Sequence, residues 1–249
     1  RLHEPHVNDA ISGERRVLAA VRETLAGQIE QLDERKAQLA EEIVGLEAQR
    51  DAKDQEIELI GDFFDDCYAA AKAYSAETGA AMVPPFDHED IVEGQATVGQ
   101  EIAAQLDGER PDMLVLPVGG GGLASGLARY YAGEASPDFR FVEPLGAPSL
   151  RTSLTKGERT RLPQLDGFVD GAAVAEIGAL PYETLSRFAP DNVLLSPEGR
   201  LCQTMLEMLN LEGIVLEPAG ALAIDALRDL KDEIRGKTVV LVVSGGNFD

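Results

Sequence analysis

The chain has 249 residues, 44% of them hydrophobic, enough for one large core or two modest ones. Its 44 acidic residues against 22 basic ones give a net charge of -22. That balance argues against a nucleic-acid partner or an anionic membrane surface, both of which need clustered Lys and Arg. Cys67 and Cys202 are too few for a disulfide framework and are expected as small buried apolar side chains. The His3-x-x-His6 pair has no further ligands nearby, so no metal site is expected. Apolar runs are short and broken by charges, so neither a signal peptide nor a membrane span is expected, and the default address is the cytoplasm.

Residues 1–57 read as an irregular start followed by a heptad helix. Leu18, Leu25, Leu32, Leu39 and Leu46 fall seven residues apart, and Arg22, Ile29, Lys36, Ile43 and Arg50 follow them at a four-residue offset, with Ile57 closing the run. With leucine at d and alternating β-branched and basic residues at a, the pattern favours a parallel two-stranded coiled coil over 18–57 and hence a homo-oligomer. A single helix packed on the globular part and an antiparallel pair are the alternatives.

Residues 58–249 change character. Phe63–Glu77 has helical spacing and is followed by Gly79, a stop signal. Met82-Val83 leads into Pro84-Pro85-Phe86-Asp87, a rigid loop. Ile91–Leu106 reads as a helix, and Met113–Val118 as a strand buried on both faces. Four glycines, Gly119 to Gly122, come next, then a helix over Leu123–Tyr131 and a strand over Phe139–Pro144. Helices are expected over Arg200–Leu209 and Ala219–Leu230, and a β-branched strand over Thr238–Val243. Strands alternating with helices argue for an α/β fold with a mostly parallel sheet.

A strand that ends in four glycines before a helix can cradle a phosphate, because bare backbone amides approach an anion closely and the helix N-terminus adds its dipole. A nucleotide, a sugar phosphate or pyridoxal phosphate fits that description, and a packing-driven glycine turn is the bland alternative. No Gly-Lys-Ser/Thr follows, so the loop is not a Walker A motif. Ser244-Gly245-Gly246-Asn247 also follows a buried strand, and in a parallel sheet both turns open at the carboxyl edge. One turn could hold a phosphate while Ser244 meets a ring at the far end of the same ligand.

Val83-Pro84-Pro85-Phe86-Asp87, Gly94-Gln95-Ala96-Thr97, Val118 to Leu123, Val142-Glu143-Pro144, Asp170 to Val174, Glu217-Pro218-Ala219-Gly220-Ala221 and Ser244 to Asn247 occur in that order. This series resembles the biosynthetic threonine dehydratases, a fold-type II family, from about residue 58 onward. The resemblance implies pyridoxal 5'-phosphate as cofactor, with Gly119, Gly120, Gly121 and Gly122 on the phosphate, Ser244 on the pyridine nitrogen, and Glu217 close to the cofactor. It implies an amino-acid substrate, L-threonine, converted to 2-oxobutanoate and ammonia in isoleucine biosynthesis. A neutral serine at the ring nitrogen does not enforce a protonated pyridine, which favours prompt loss of the β-hydroxyl.

The chain departs from the family pattern in one respect that matters for chemistry. The family's lysine lies in a Ser-x-Lys-x-Arg-Gly-Ala stretch, and an Ala-Gly-Asn-His stretch grips the ring; neither occurs here. That lysine both links the cofactor and removes the α-proton. Lys36, Lys53, Lys72, Lys156, Lys231 and Lys237 have no motif-based claim to replace it, so no catalytic residue is assigned. A catalytically silent remnant joined to a coiled-coil module is the competing reading. Half of a doubly wound domain would also expose an apolar sheet edge, for the heptad helix to cover or to dimerise around.

Overall fold

A computed structural model describes residues 25–29, 31–41, 43–47, 57–133 and 136–247. The chain divides into two units, Arg1–Leu59 and Ile60–Asp249. In the first unit, residues 25–29, 31–41 and 43–47 are helical. The apolar heptad positions described there stay exposed, from 43% at Leu39 to 68% at Leu32. Ile57 is irregular rather than helical, and Leu18, Arg22, Arg50 and the histidine pair lie outside the described residues.

The second unit opens with α1 (Phe64–Thr78), which carries Asp65 and Asp66 in its first turn and stops at Gly79 in the left-handed conformation. Helix α2 (Glu89–Gln105) starts at His88, whose imidazole accepts the Asp90 amide. Then come β1 (Met113–Pro117), α3 (Gly122–Tyr130), β2 (Asp138–Pro144) and α4 (Ser149–Lys156). They are followed by α5 (Ala179–Leu185), β3 (Val193–Ser196), α6 (Glu198–Glu207), α7 (Pro218–Asp225), α8 (Leu227–Leu230) and β4 (Val239–Leu241). The expected helix over Ala219–Leu230 is interrupted at Ala226. The one over Arg200–Leu209 passes into a π-helical turn, Met208–Glu212, which ends at left-handed Gly213.

The strands form a parallel sheet in the order β3-β2-β1-β4. Cores lie on both faces. Leu114, Leu116, Phe139 and Phe141 pack on one side with Leu127 of α3 and Leu185 of α5. Met113, Val115 and Val142 pack on the other with Leu201 of α6 and Leu222 of α7. All five residues of β1 are buried, as expected for a central parallel strand. Helices α2 and α3 cross closely at Gly126, where a Cβ would lie 2.6 Å from the Ala96 nitrogen. That approach sets the backbone of Gln95 and Ala96 directly against α3.

Two expectations fail. Cys67 and Cys202 are free and exposed, because each lies on the outward side of its helix. The short elements α4, α5 and β3 also appear where no element was expected.

Candidate functional site

The strand order reverses at β1. The chain runs from β1 outward to β2 and β3, then returns to place β4 on the other flank. The carboxyl ends of β1 and β4 therefore lie side by side at the switch point, the usual ligand position in open α/β sheets.

From β1 the four glycines turn into α3. Gly121 caps the helix with φ 91° and ψ 4°, a conformation that L side chains rarely adopt. Gly120 is constrained by proximity instead: a Cβ there would lie 2.2 Å from the Phe86 ring. Its carbonyl accepts the Gly178 amide at 3.2 Å, which ties the loop to the residue before α5. The same region is held by Asp87, whose carboxylate accepts the Ala179 and Leu180 amides, both at 2.9 Å. At the start of α3 the first amides have no acceptor within the helix, and no capping side chain meets them. Together with the helix dipole they form a site for an anion.

Ser244, just beyond β4, lines the same cavity, of about 280 Å³. Phe86, Ile91, Gln95, Ala172 and Ala219 complete its walls, and every lining side chain is uncharged. Among the described residues, no carboxylate lines this cavity in a chain of net charge -22, which lessens like-charge repulsion of an entering anion. Backbone amides, one hydroxyl and apolar walls on the same cavity suit a phosphate joined to a heteroaromatic ring, which is the make-up of pyridoxal phosphate.

Glu217 sits elsewhere. It precedes α7, donates its amide to the Gly245 carbonyl at 3.2 Å, and presses its carboxylate on Gly245, where a Cβ would lie 2.1 Å from Oε1. It lines a neighbouring, more apolar cavity of about 720 Å³ together with Cys202, Leu206 and Asn247. The structure thus brings Gly119, Gly120, Gly121, Gly122 and Ser244 onto one cavity and puts Glu217 behind the Ser244 turn. Sequence reasoning missed Gln95, Phe86 and Ile91 as lining residues. The two ordered segments that contain Phe86 and Gln95 were the available signal.

The buried Glu143 of β2 is structural. Its carboxylate accepts the Leu150 and Arg151 amides at 2.7 and 3.0 Å and the Ser149 hydroxyl at 3.3 Å, capping α4 from a neighbouring strand. Burial pushes its pKa up to about 7, against the pull of those hydrogen bonds.

Among the described residues, no lysine lines the cavity of the glycine loop. Lys72 lies over the Tyr68 ring at 4.5 Å, while Lys156, Lys231 and Lys237 are exposed. Lys36 is exposed in the first unit, and Lys53 lies outside the described residues.

The profile of the family described as pyridoxal-phosphate dependent enzyme matches residues 45–245. A second profile, AprE, long alpha-helical hairpin, matches residues 1–67. The biosynthetic L-threonine dehydratase of Halalkalibacterium halodurans is 46% identical over 196 residues, covering 78% of this chain and 46% of that protein. That of Bacillus subtilis is 45% identical over the same shares. The chain thus spans about half the length of the curated relatives it matches. Among solved structures, the processed threonine deaminase isoform 2 of Solanum lycopersicum superposes with a TM-score of 0.70 at 32% identity, over 77% of this chain and 56% of that one. A serine racemase of Dictyostelium discoideum gives 0.64 at 27% identity, over 76% and 61%. With a profile that matches residues 45–245, most of its length, the chain belongs to the family of pyridoxal-phosphate dependent enzymes.

Proposed function

We propose that the second unit is the cofactor-holding part of a threonine dehydratase. The observation that carries this is the convergence of the glycine loop and Ser244 on one uncharged cavity. Bound there, pyridoxal phosphate supplies an electron sink for bonds at the amino acid's α-carbon. The amides of the loop Gly119 to Gly122 and of Leu123 would hold its phosphate, helped by the α3 dipole. Ser244 would serve the ring nitrogen as a neutral partner, and Phe86, Ile91 and Ala172 would line the ring's walls and exclude water. Glu217 supports the Ser244 turn through Gly245. Among the described residues, none that lines the cavity is a base strong enough to remove the α-proton. The substrate class is a small β-hydroxy amino acid, L-threonine first, and the setting is cytoplasmic.

A second reading has its own support. The exposed heptad stripe and the helical-hairpin match favour an assembly module, paired between copies over 18–57 and joined to a catalytically silent α/β remnant.

Borohydride reduction of the chain with pyridoxal phosphate, lysine mapping by mass spectrometry and an assay for 2-oxobutanoate from L-threonine separate these readings. The first predicts saturable, phosphate-dependent cofactor binding, no single labelled lysine, and no turnover by the chain alone. A single labelled lysine with turnover would refute the view that no lysine here acts. A concentration-dependent dimer without cofactor affinity would favour the module.

A further inference from the structure

The heptad stripe of the first unit is uncovered among the described residues. Leu25, Leu32, Leu39 and Leu46 at d, with Ile29 and Ile43 at a, lie on helical segments and are all exposed. A stripe of this kind is buried by packing on another helix. Leucine at d and isoleucine at a, taken alone, suit a parallel pair.

The charges oppose that orientation. In a parallel, in-register pair each a position meets its own copy, so Lys36 would face Lys36 across the core. Arg22 and Arg50 hold the same heptad position in the sequence and would repeat the conflict. Beside the core, each g position meets the e position of the next heptad. Glu42 would then face Glu47 on both sides of the seam, while Arg35, the basic residue at g, would face Ala40. Like charges so placed destabilise a pair. Arg22, Glu42 and Arg50 lie outside the described residues and enter by heptad position alone.

Reversing one helix brings a against d and sets g beside g and e beside e. Centred between Lys36 and Leu39, the described layers become Ile29 on Leu46, Leu32 on Ile43 and Lys36 on Leu39. Each keeps a leucine, and the Lys36 stem can lie on apolar surface while its ammonium reaches water. Arg35 then stands beside Glu42 on both sides, Asp33 beside Ala40, and Glu47 beside Ala26. A shift of one heptad destroys this match. In one direction it sets Arg35 on Arg35 and Asp33 on Asp33; in the other, Glu42 on Glu42 and Asp33 on Glu47. Among the described residues Arg35 meets only Gln38, at 3.3 Å, which leaves its guanidinium open to a carboxylate.

We propose that the stripe docks a second copy of this chain in antiparallel orientation, in the register that pairs Arg35 with Glu42 of that copy. A second copy is the occupant because the run complements its own reversal, in core and flanks together, at that register. The proposal rests on the pairing of copies in the assembly reading and adds its orientation and register.

The test uses the full chain with Cys67→Ser and Cys202→Ser, since both cysteines are exposed and would take a label. Sedimentation gives the dimer constant. Nitroxide labels on Gly27→Cys or Gln38→Cys give distances by pulsed electron spin resonance. Position 38 lies near the centre and should show about 20 Å, roughly a helix pair with its linkers. Position 27 should show more than about 30 Å, because reversal offsets its two labels by roughly 21 residues at about 1.5 Å each. Glu42→Arg should weaken the dimer roughly fivefold by facing Arg35, and adding Arg35→Glu should restore it. About 20 Å at both positions, or a dimer strengthened by Glu42→Arg through loss of the Glu42–Glu47 conflict, would overturn the orientation and leave the assembly reading standing. A distance at position 27 that is off by about 10 Å, one heptad, would overturn the register. A chain that stays monomeric would overturn the proposal and the assembly reading together.

Discussion

Replacing Gly120 by alanine tests whether the loop is shaped by Phe86. Gly120 has no positive φ, so alanine is allowed by its backbone and the cost comes from contact. The new Cβ would lie 2.2 Å from two ring atoms of Phe86, about 1 Å short of ordinary van der Waals contact. Phe86 cannot swing away freely: Pro84 and Pro85 restrain the backbone before it, and Asp87 after it holds two amides of α5. Overpacking of this kind costs about 1–3 kcal/mol. Urea unfolding of Gly120→Ala should show that loss. In a Phe86→Ala background the same substitution should cost under about 0.5 kcal/mol, because the clash is gone, and the difference between the two backgrounds is the coupling energy. Equal costs in both backgrounds, or none in either, would refute the contact argument.

Three further outcomes are expected. Asp225 is fully buried, accepts Arg200 Nε at 2.8 and 3.0 Å, and accepts the Thr204 hydroxyl at 3.1 Å. Arg200→Met would leave that carboxylate only the Thr204 hydroxyl and the more distant Arg228 Nε at 3.7 Å, and should cost about 3 kcal/mol in urea unfolding, whereas a loss under about 1 kcal/mol would show the Arg200 pair to be dispensable. Glu143 binds its proton more tightly in the folded state, so its contribution to stability is full below about pH 4.5 and is lost as pH rises through about 7. The wild type minus Glu143→Gln difference in unfolding free energy should fall by an amount on the order of 3 kcal/mol across that window, and a flat difference would contradict the assignment. Gly245→Ala would drive a methyl into the Glu217 carboxylate, so it should lower cofactor affinity, measured by titration, more than Glu217→Gln does.

Much of the fold was legible because its main elements carry local signals. The apolar run of β1 and the glycines after it mark both the central strand and the site, and Gly79 marks the end of α1. The parts that were not legible depend on distant residues. Helix α4 looks polar and uncapped in sequence because its cap is Glu143, supplied from β2 across a loop. Helix α5 contains Pro181 and is capped by Asp87, some ninety residues earlier. Strand β3 is four residues long, too short for any period to show. The same limit applies within the site. Ser244 and the glycine loop announce themselves by composition, whereas Gln95 reaches the cavity only because α2 and α3 cross at Gly126. Glu217 belongs to a segment of the right series, but its partner is the backbone of Gly245 and its cavity is the neighbouring one.

The most direct measurement is hydrogen exchange of the chain titrated with pyridoxal phosphate and, in parallel, with pyridoxal, which lacks the phosphate. The account predicts saturable protection of the amides from Gly120 to Leu123 and of the Ser244 turn with pyridoxal phosphate, and little with pyridoxal. Equal protection by both compounds, or protection confined to other parts of the chain, would contradict the claim that the glycine loop at the β1–β4 switch point holds the cofactor's phosphate.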